Sequence, residues 1–118
     1  MRNIIHIDNS AFFRKVVRTC LTEQGYLSES YSQADKALKA LNGDSALVVT
    51  GTTFADMPFE DFIKRIRDFS KVIPIIVLTS EDEPTKIETI LALGVQDTLS
   101  KSGAWQEGLL ALIHKHLG

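Results

Sequence analysis

The chain has a single cysteine, Cys20, and no second one to pair with it. That excludes an internal disulfide and a multi-cysteine metal site. Proline occurs only three times, and no stretch rich in glycine, proline or serine interrupts the chain as a linker. No apolar run approaches the roughly 20 residues that a membrane-spanning helix needs. The opening Met1-Arg2-Asn3 passes straight into a strand-like run, so no signal peptide is expected. Charge of one sign is also lacking. Thirteen Lys and Arg against fifteen Asp and Glu leave a formal net charge of −2, which gives no electrostatic reason to bind nucleic acid or an anionic membrane. A cytoplasmic location is expected from these absences.

What is present fits one domain. A chain of 118 residues, 44% of them hydrophobic, can bury one proper core and is too short for two. Apolar strand-like runs alternate with amphipathic segments. Strands are predicted at Asn3–Asp8, Tyr26–Tyr31, Ala46–Thr50, Ile73–Thr79 and Val95–Leu99. In Ile4-Ile5-His6-Ile7, Leu47-Val48-Val49 and Ile75-Ile76-Val77-Leu78 successive residues are apolar, as in a parallel sheet covered on both faces. The Tyr26–Tyr31 run is more polar and is placed at an edge.

A helix with readable ends follows each strand. Ser10 caps a first helix whose inner stripe is Phe13, Val16, Val17, Cys20 and Leu21, closed by Gly25. Cys20 is thereby assigned to core packing. Ser32 with Asp35 reads as a capping box for a second helix, carrying Ala34, Ala37, Leu38 and Leu41 and stopping at Asn42-Gly43. Pro58 and Pro84 suit the first turns of the third and fourth helices, where a missing N–H costs nothing. The third is expected to bury Phe62, Ile63 and Ile66, and the fourth Ile87, Ile90 and Leu91 before Gly94. The last runs from about Gly103 to His116 with Leu109, Leu112 and Ile113 inward. Five βα units in series predict an α/β fold with a parallel sheet, right-handed crossovers and helices on both faces.

In such a sheet the functional crevice lies at the carboxyl ends of the strands. Those ends carry Asp8-Asn9-Ser10, Tyr31-Ser32, Thr50-Gly51-Thr52-Thr53, Thr79-Ser80 and Ser100-Lys101-Ser102. If they converge, the crevice holds one carboxylate, one lysine and many hydroxyls.

Here the sequence resembles a known family, the response-regulator receiver domains of two-component signalling and phosphorelays. Ile7-Asp8-Asn9-Ser10 resembles the hydrophobic-Asp-Asp-Ser segment that opens them. Phe62-Ile-Lys-Arg-Ile-Arg67 resembles their third helix and Pro74-Ile-Ile-Val-Leu-Thr79 their fourth strand. Gly94 to Lys101 resembles their Gly-Ala-x-Asp-x-Leu-x-Lys segment. The resemblance covers essentially all of residues 1–118, in the family's order. It implies a single flavodoxin-like domain with strand order 2-1-3-4-5.

The resemblance also implies roles for the strand ends. In the family a carboxylate after the third strand takes a phosphoryl group from a kinase phosphohistidine. That carboxylate and an acidic pair hold Mg²⁺, while a Thr or Ser and a Lys bind the phosphoryl oxygens. Counting back from Phe62–Arg67 without a gap puts the acceptor position at Gly51. Asn9 stands for the second acid of the pair, Thr79 and Lys101 keep the hydroxyl and lysine positions, and Thr98 stands where an aromatic switch residue is usual. The sequence therefore resembles a pseudo-receiver.

Gly51 has no nucleophile to offer. Asp8 and Lys101 sum to zero charge, so Mg²⁺ binding is expected to be weak or absent and Lys101 is free to pair with Asp8. No cofactor and no enzymatic activity are expected. The expected function is protein–protein interaction or self-association without aspartyl phosphorylation. It would use the surface of the fourth helix, fifth strand and fifth helix, about Pro84 to His116. The alternative is a sensor of a small anion or metabolite held by Thr50, Thr52, Thr53, Thr79, Ser80 and Lys101 in the vestigial crevice. A flavin enzyme is disfavoured, because Asp8-Asn9-Ser10-Ala11-Phe12 is not a phosphate-binding loop. Single-domain receivers usually depend on phosphorylation, so the chain is expected to be the N-terminal domain of a longer regulator.

Several residues have plainer readings. His6, mid-strand between Ile5 and Ile7, is expected to be a hydrogen-bonded core histidine. Asp56 is expected to favour the start of the third helix through the dipole. Asn9 and Ser10 could simply cap the first helix, and Thr79 could hydrogen-bond within its own turn. Gly51 could mark a bend needing positive φ. Trp105 is expected to be partly packed, and His114 and His116 to be exposed near the end of the last helix.

Overall fold

The computed structural model describes residues 3–118. Met1 and Arg2, which open the start segment read above, lie outside the described residues. Five strands alternate with five helices: β1 (Asn3–Ile7), α1 (Ala11–Glu23), β2 (Leu27–Tyr31), α2 (Ala34–Ala40), β3 (Ser45–Thr50), α3 (Phe59–Phe69), β4 (Ile75–Thr79), α4 (Pro84–Ala92), β5 (Asp97–Ser100) and α5 (Trp105–Leu117). All strand pairs are parallel, in the order β2-β1-β3-β4-β5. The expected α/β architecture is the observed one. The polar β2 lies at an edge, as its composition requires.

Alternation along the strands sorts the apolar residues into two cores. Ile5, Ile7, Val48, Ile75 and Val77 meet Ala34, Ala37, Phe62, Ile63 and Ile66 on one face. Ile4, Leu47, Val49, Ile76 and Leu78 meet Val17, Leu21, Leu109 and Ile113 on the other. Thus α2 and α3 cover the first face, while α1 and α5 cover the second. Gly25, with φ +81, reverses the chain after α1 while its N–H and that of Tyr26 satisfy the last carbonyls of the helix.

Four local expectations are corrected. No residue of α4 is fully buried; Ile87 and Ile90 are half-buried and Leu91 is exposed. This helix lies against the edge strand β5, four residues long and itself only half-buried, so little sheet surface is available to cover it. Cys20 is half-buried rather than a core residue. The second helix has no capping box, since its N-cap is Gln33 and neither Ser32 nor Gln33 bonds its first turn through a side chain. His116 is not a free surface group: its Nε2 lies 2.6 Å from Asp97 Oδ2, joining the end of α5 to β5. His114 is exposed as expected, and Trp105 is buried against Phe13, with ring centroids 5.6 Å apart.

Asp56 does the capping that Ser32 does not. Its Oδ1 accepts from the Ala34 N–H at 3.0 Å and its Oδ2 from the Asp35 N–H at 2.9 Å. The residue expected to serve α3 therefore serves α2, from 21 and 22 positions along the chain. These N–H bonds, led by that of Asp35, hold its carboxyl below the usual carboxylate range. Because the folded value is the lower one, the cap is intact above the ordinary carboxylate pKa and is lost as pH falls through the folded value. Asp56→Ala is expected to lower the melting temperature and to speed amide exchange at Ala34 and Asp35, with Ser32→Ala changing neither. Unchanged exchange in Asp56→Ala would remove this account.

Candidate functional site

The site forms where β1, β3, β4 and β5 end together. Parallel pairing aligns Ile7 with Thr50, Thr50 with Val77, and Thr79 with Ser100. The residues that follow each strand are thereby brought to one edge of the sheet. Gly51 N–H donates to Ile7 O at 2.8 Å, and Lys101 N–H donates to Thr79 O at 2.8 Å. These two bonds extend the ladder one residue past the strands and fix where Gly51 and Lys101 stand.

Asp8 is the centre of the arrangement and is 1% exposed. Its Oδ2 accepts from the Lys101 ammonium at 2.7 Å, and its Oδ1 from the Ser10 N–H at 2.9 Å. The Lys101 nitrogen also lies 4.2 Å from the centroid of the Phe13 ring, a cation–π contact supplied by α1. Ser10 Oγ caps α1 by accepting from the Phe13 N–H at 3.3 Å, as its position predicted. Phe13 is thus carried to Lys101 by the same helix start that holds Asp8. Arg14 donates to the Asp8 carbonyl oxygen at 2.8 Å and closes the turn from outside.

Gly51 is buried and closely faced. A Cβ there would stand 3.3 Å from Asp8 Oδ2. Its φ is not in the left-handed region, which corrects the expectation of a bend that only glycine allows. Proximity to the buried carboxylate, and not backbone conformation, is what this position imposes on a side chain. Beside it, Thr50 Oγ1 is buried and donates to Gly51 O at 2.8 Å.

The remaining candidates are less involved. Thr79 Oγ1 accepts from the Glu81 N–H at 3.0 Å, a bond within its own turn. Asn9 is exposed, and Thr98 is half-buried on β5 opposite Val77. Asp8, Gly51 and Lys101 are therefore brought together, with Thr79 adjacent through the backbone; Asn9 and Thr98 lie at the margin.

The donor set does not suit Mg²⁺. The ion prefers several hard oxygens and dehydrates reluctantly, whereas Asp8 is the one carboxylate here and already has an ammonium at 2.7 Å. Among the described residues no group of three or more His, Cys, Asp or Glu is placed to hold a metal.

His6 sits behind the site, fully buried, with Nδ1 3.1 Å from Ser30 Oγ. Burial lowers its pKa from 6.5 to about 4; Asp8 opposes that shift, while Lys101 and Arg14 add to it. It is the core histidine expected from its neighbours, although its Nε2 has no hydrogen-bond partner among the described residues.

The same comparison of residues can be made across proteins. The sequence matches the response regulator receiver domain over residues 4–113. The chain belongs to this family. It is 28% identical over 105 residues to the chemotaxis protein CheY1 of Helicobacter pylori, covering 83% of this receiver and 83% of that protein. It is 28% identical over 102 residues to the two-component response regulator ORR7 of Oryza sativa subsp. japonica, covering 83% of this receiver but only 49% of ORR7. Among solved structures, the chemotaxis response regulator CheY4 of Vibrio cholerae superposes with a TM-score of 0.86 at 27% identity, over 98% of each chain. The receiver assignment and the five-stranded order expected from the motifs thus hold. Among the described residues no helix is long and apolar enough to cross a membrane.

Proposed function

We propose that this receiver works in two-component signalling as a phosphorylation-independent interaction module and not as an enzyme. The observation that carries the reading is the Asp8–Lys101 ion pair beside Gly51. In an active receiver the third strand must offer a nucleophilic carboxylate, and a cation must neutralise the phosphoryl oxygens. Here the residue that follows β3, Gly51, has no side chain, and the ammonium that would meet the phosphoryl group is held by Asp8. The pairing also argues against an anion sensor in the crevice, since an incoming anion would have to displace a buried carboxylate from Lys101.

The module acts by binding a protein partner or another copy through α4, β5 and α5, with no part taken by nucleic acid or membrane. A four-residue edge strand and a helix without one fully buried residue leave apolar side chains, Leu91 foremost, for a partner to cover.

Acetyl phosphate with Mg²⁺ is expected to leave the intact mass of the protein unchanged. Leu91→Glu is expected to weaken self-association or partner binding by at least about tenfold, the scale of losing one buried apolar anchor, with an unaltered circular dichroism spectrum. Leu91 is the better probe than Lys86, whose ammonium pairs with Glu81 at 3.3 Å and Glu83 at 3.7 Å. A base-labile phosphoryl adduct would sink the first half of the proposal. A strict monomer, with partner binding untouched by Leu91→Glu, would sink the second.

A further inference from the structure

A cleft between α1 and β2 gathers three cations and two hydroxyls, away from the α4–β5–α5 face. Ala11, Arg14, Lys15 and Arg18 stand at i, i+3, i+4 and i+7 of α1, which puts them on one stripe of the helix, and α1 packs along β2. With Thr19 and Ser30 they line a cleft of about 320 Å³. No carboxylate lines it, and none of Arg14, Lys15 and Arg18 forms an ion pair among the described residues. Neighbouring acids are turned elsewhere. Asp8 is held by Lys101, and Glu23 lines a separate groove between α1 and α5. Glu29 lies on the other face of β2, where its Oε2 accepts from the Tyr31 hydroxyl at 2.8 Å. A chain with a formal net charge of −2 thus carries three uncompensated cations in one place.

Two of the polar groups are held in place from behind. Arg14 donates from Nη1 to the Asp8 carbonyl oxygen at 2.8 Å, which fixes its guanidinium and leaves its other N–H groups for the cleft. Ser30 Oγ lies 3.1 Å from Nδ1 of the fully buried His6. Burial keeps His6 neutral near neutral pH, so its ring carries one N–H. A proton on Nδ1 spends that donor on Ser30 Oγ, and Nε2, which has no hydrogen-bond partner among the described residues, is then not an orphaned N–H. In that arrangement the serine oxygen accepts from the imidazole, and its own O–H is free to donate into the cleft.

We propose that this cleft binds the phosphate group of a small phosphorylated molecule, with Arg14, Lys15 and Arg18 supplying the charge and Ser30 and Thr19 the hydroxyl donors. A phosphate monoester is close to a dianion at neutral pH and presents three acceptor oxygens. The planar fork of a guanidinium matches two of them at once. Arg14 and Arg18, four residues apart on α1, repel each other without an anion between them, and a bound dianion converts that repulsion into shared attraction. The volume lies at the low end for ligand pockets, which suits a short phosphate monoester and is small for a dinucleotide. The cleft is distinct from the crevice, where Lys101 is already taken by Asp8. Only Arg14 reaches toward that crevice, and it does so through a backbone oxygen.

The test titrates inorganic phosphate, and separately glycerol 3-phosphate, into the isotopically labelled full chain, with sodium chloride of matched ionic strength as the reference. Both phosphates are expected to give saturable amide shifts along α1 and at Ser30, and chloride none. Arg18→Gln should weaken binding at least about tenfold and Ser30→Ala at least about threefold. Lys64→Gln, which removes an exposed cation of α3 across the sheet, should leave it unchanged. Arg18 is exposed, so an unaltered circular dichroism spectrum of Arg18→Gln keeps the comparison valid even if Ser30→Ala folds poorly. The ring nitrogen shifts of His6 should place its proton on Nδ1; a proton on Nε2 would overturn the part given to Ser30. No saturable shift, shifts that chloride reproduces, or undiminished binding by Arg18→Gln would overturn the proposal. Arg18-dependent sedimentation with phosphatidic acid vesicles, in the absence of binding by either soluble phosphate, would overturn it in favour of a lipid headgroup.

Discussion

Gly51→Asp alone is expected to stay unlabelled by acetyl phosphate or to label slowly, whereas Gly51→Asp with Asn9→Asp should label clearly in the presence of Mg²⁺. The single substitution supplies a nucleophile but places it against a carboxylate that is already buried, since a Cβ at position 51 stands 3.3 Å from Asp8 Oδ2. Two anions must then share Lys101, and like charges at such separations resist simultaneous ionisation. The single variant is therefore also expected to unfold at a lower denaturant concentration than the parent. Adding an acid at position 9, now an exposed asparagine, gives three carboxylates against one lysine. That net charge of −2 compensates a divalent cation, and the cation offsets the repulsion at Asp8. Beryllofluoride binding and acetyl-phosphate labelling of both variants, each first checked for folding, measure the effect. If both remain inert while folded, Gly51 is not the acceptor position. If the single variant labels as fast as the double, the role given to Asn9 is wrong. Thr98 has no ring to relay a change to α4, so labelling of the double variant is expected without a change in its interaction surface.

Mild acid should destabilise this protein through one buried histidine. His6 is buried and has a folded-state pKa of about 4 against an ordinary 6.5. Above pH 6.5 it is neutral in both states and its contribution to stability is complete. Between 6.5 and 4 the unfolded chain takes up a proton that the folded one refuses, so stability falls as pH falls. Below about 4 both states are protonated and the loss levels off. At about 1.36 kcal/mol for each unit of difference, the total is about 3 kcal/mol, a large part of the 5–15 kcal/mol or so typical of a domain. Urea unfolding at stepwise pH should show this slope. His6→Val should flatten it between pH 6.5 and 4, because valine on a strand between two apolar residues has no proton to gain. A slope that survives His6→Val would assign the acid sensitivity to other groups.

The elements that the sequence predicted well are those where one local pattern decides. Successive apolar residues in β1, β3 and β4 could be satisfied only by burial on both faces, and the sheet does bury them. The caps at Ser10 and Gly25 act over three or four residues and were legible for that reason. Local signals failed at Ser32, where the capping box was outdone by Asp56 from the next loop but one, and at α4, where helical periodicity was present but too little sheet lay beneath it. Arg67 was read only as part of a motif. In the fold its guanidinium binds the Ile73 and Gly94 carbonyls at 2.8 Å each and ties α3 to the turns at both ends of the β4–α4 unit.

By itself the sequence determined the chain's architecture, its family and the inventory of its crevice: one carboxylate, one lysine, hydroxyls, and a glycine after the third strand. These follow from residue identity and spacing, which the chain carries locally. Only the tertiary structure decided how that inventory is used. Asp8 and Lys101 are 93 positions apart, and nothing near either fixes their separation. It is the parallel register that brings the ends of β1 and β5 to the same edge, and the capped start of α1 that swings Phe13 over the ammonium. The same packing, by setting α1 beside α5, left Phe12 exposed. Contacts of this kind depend on where whole elements lie, and their positions are set by the burial of both cores together.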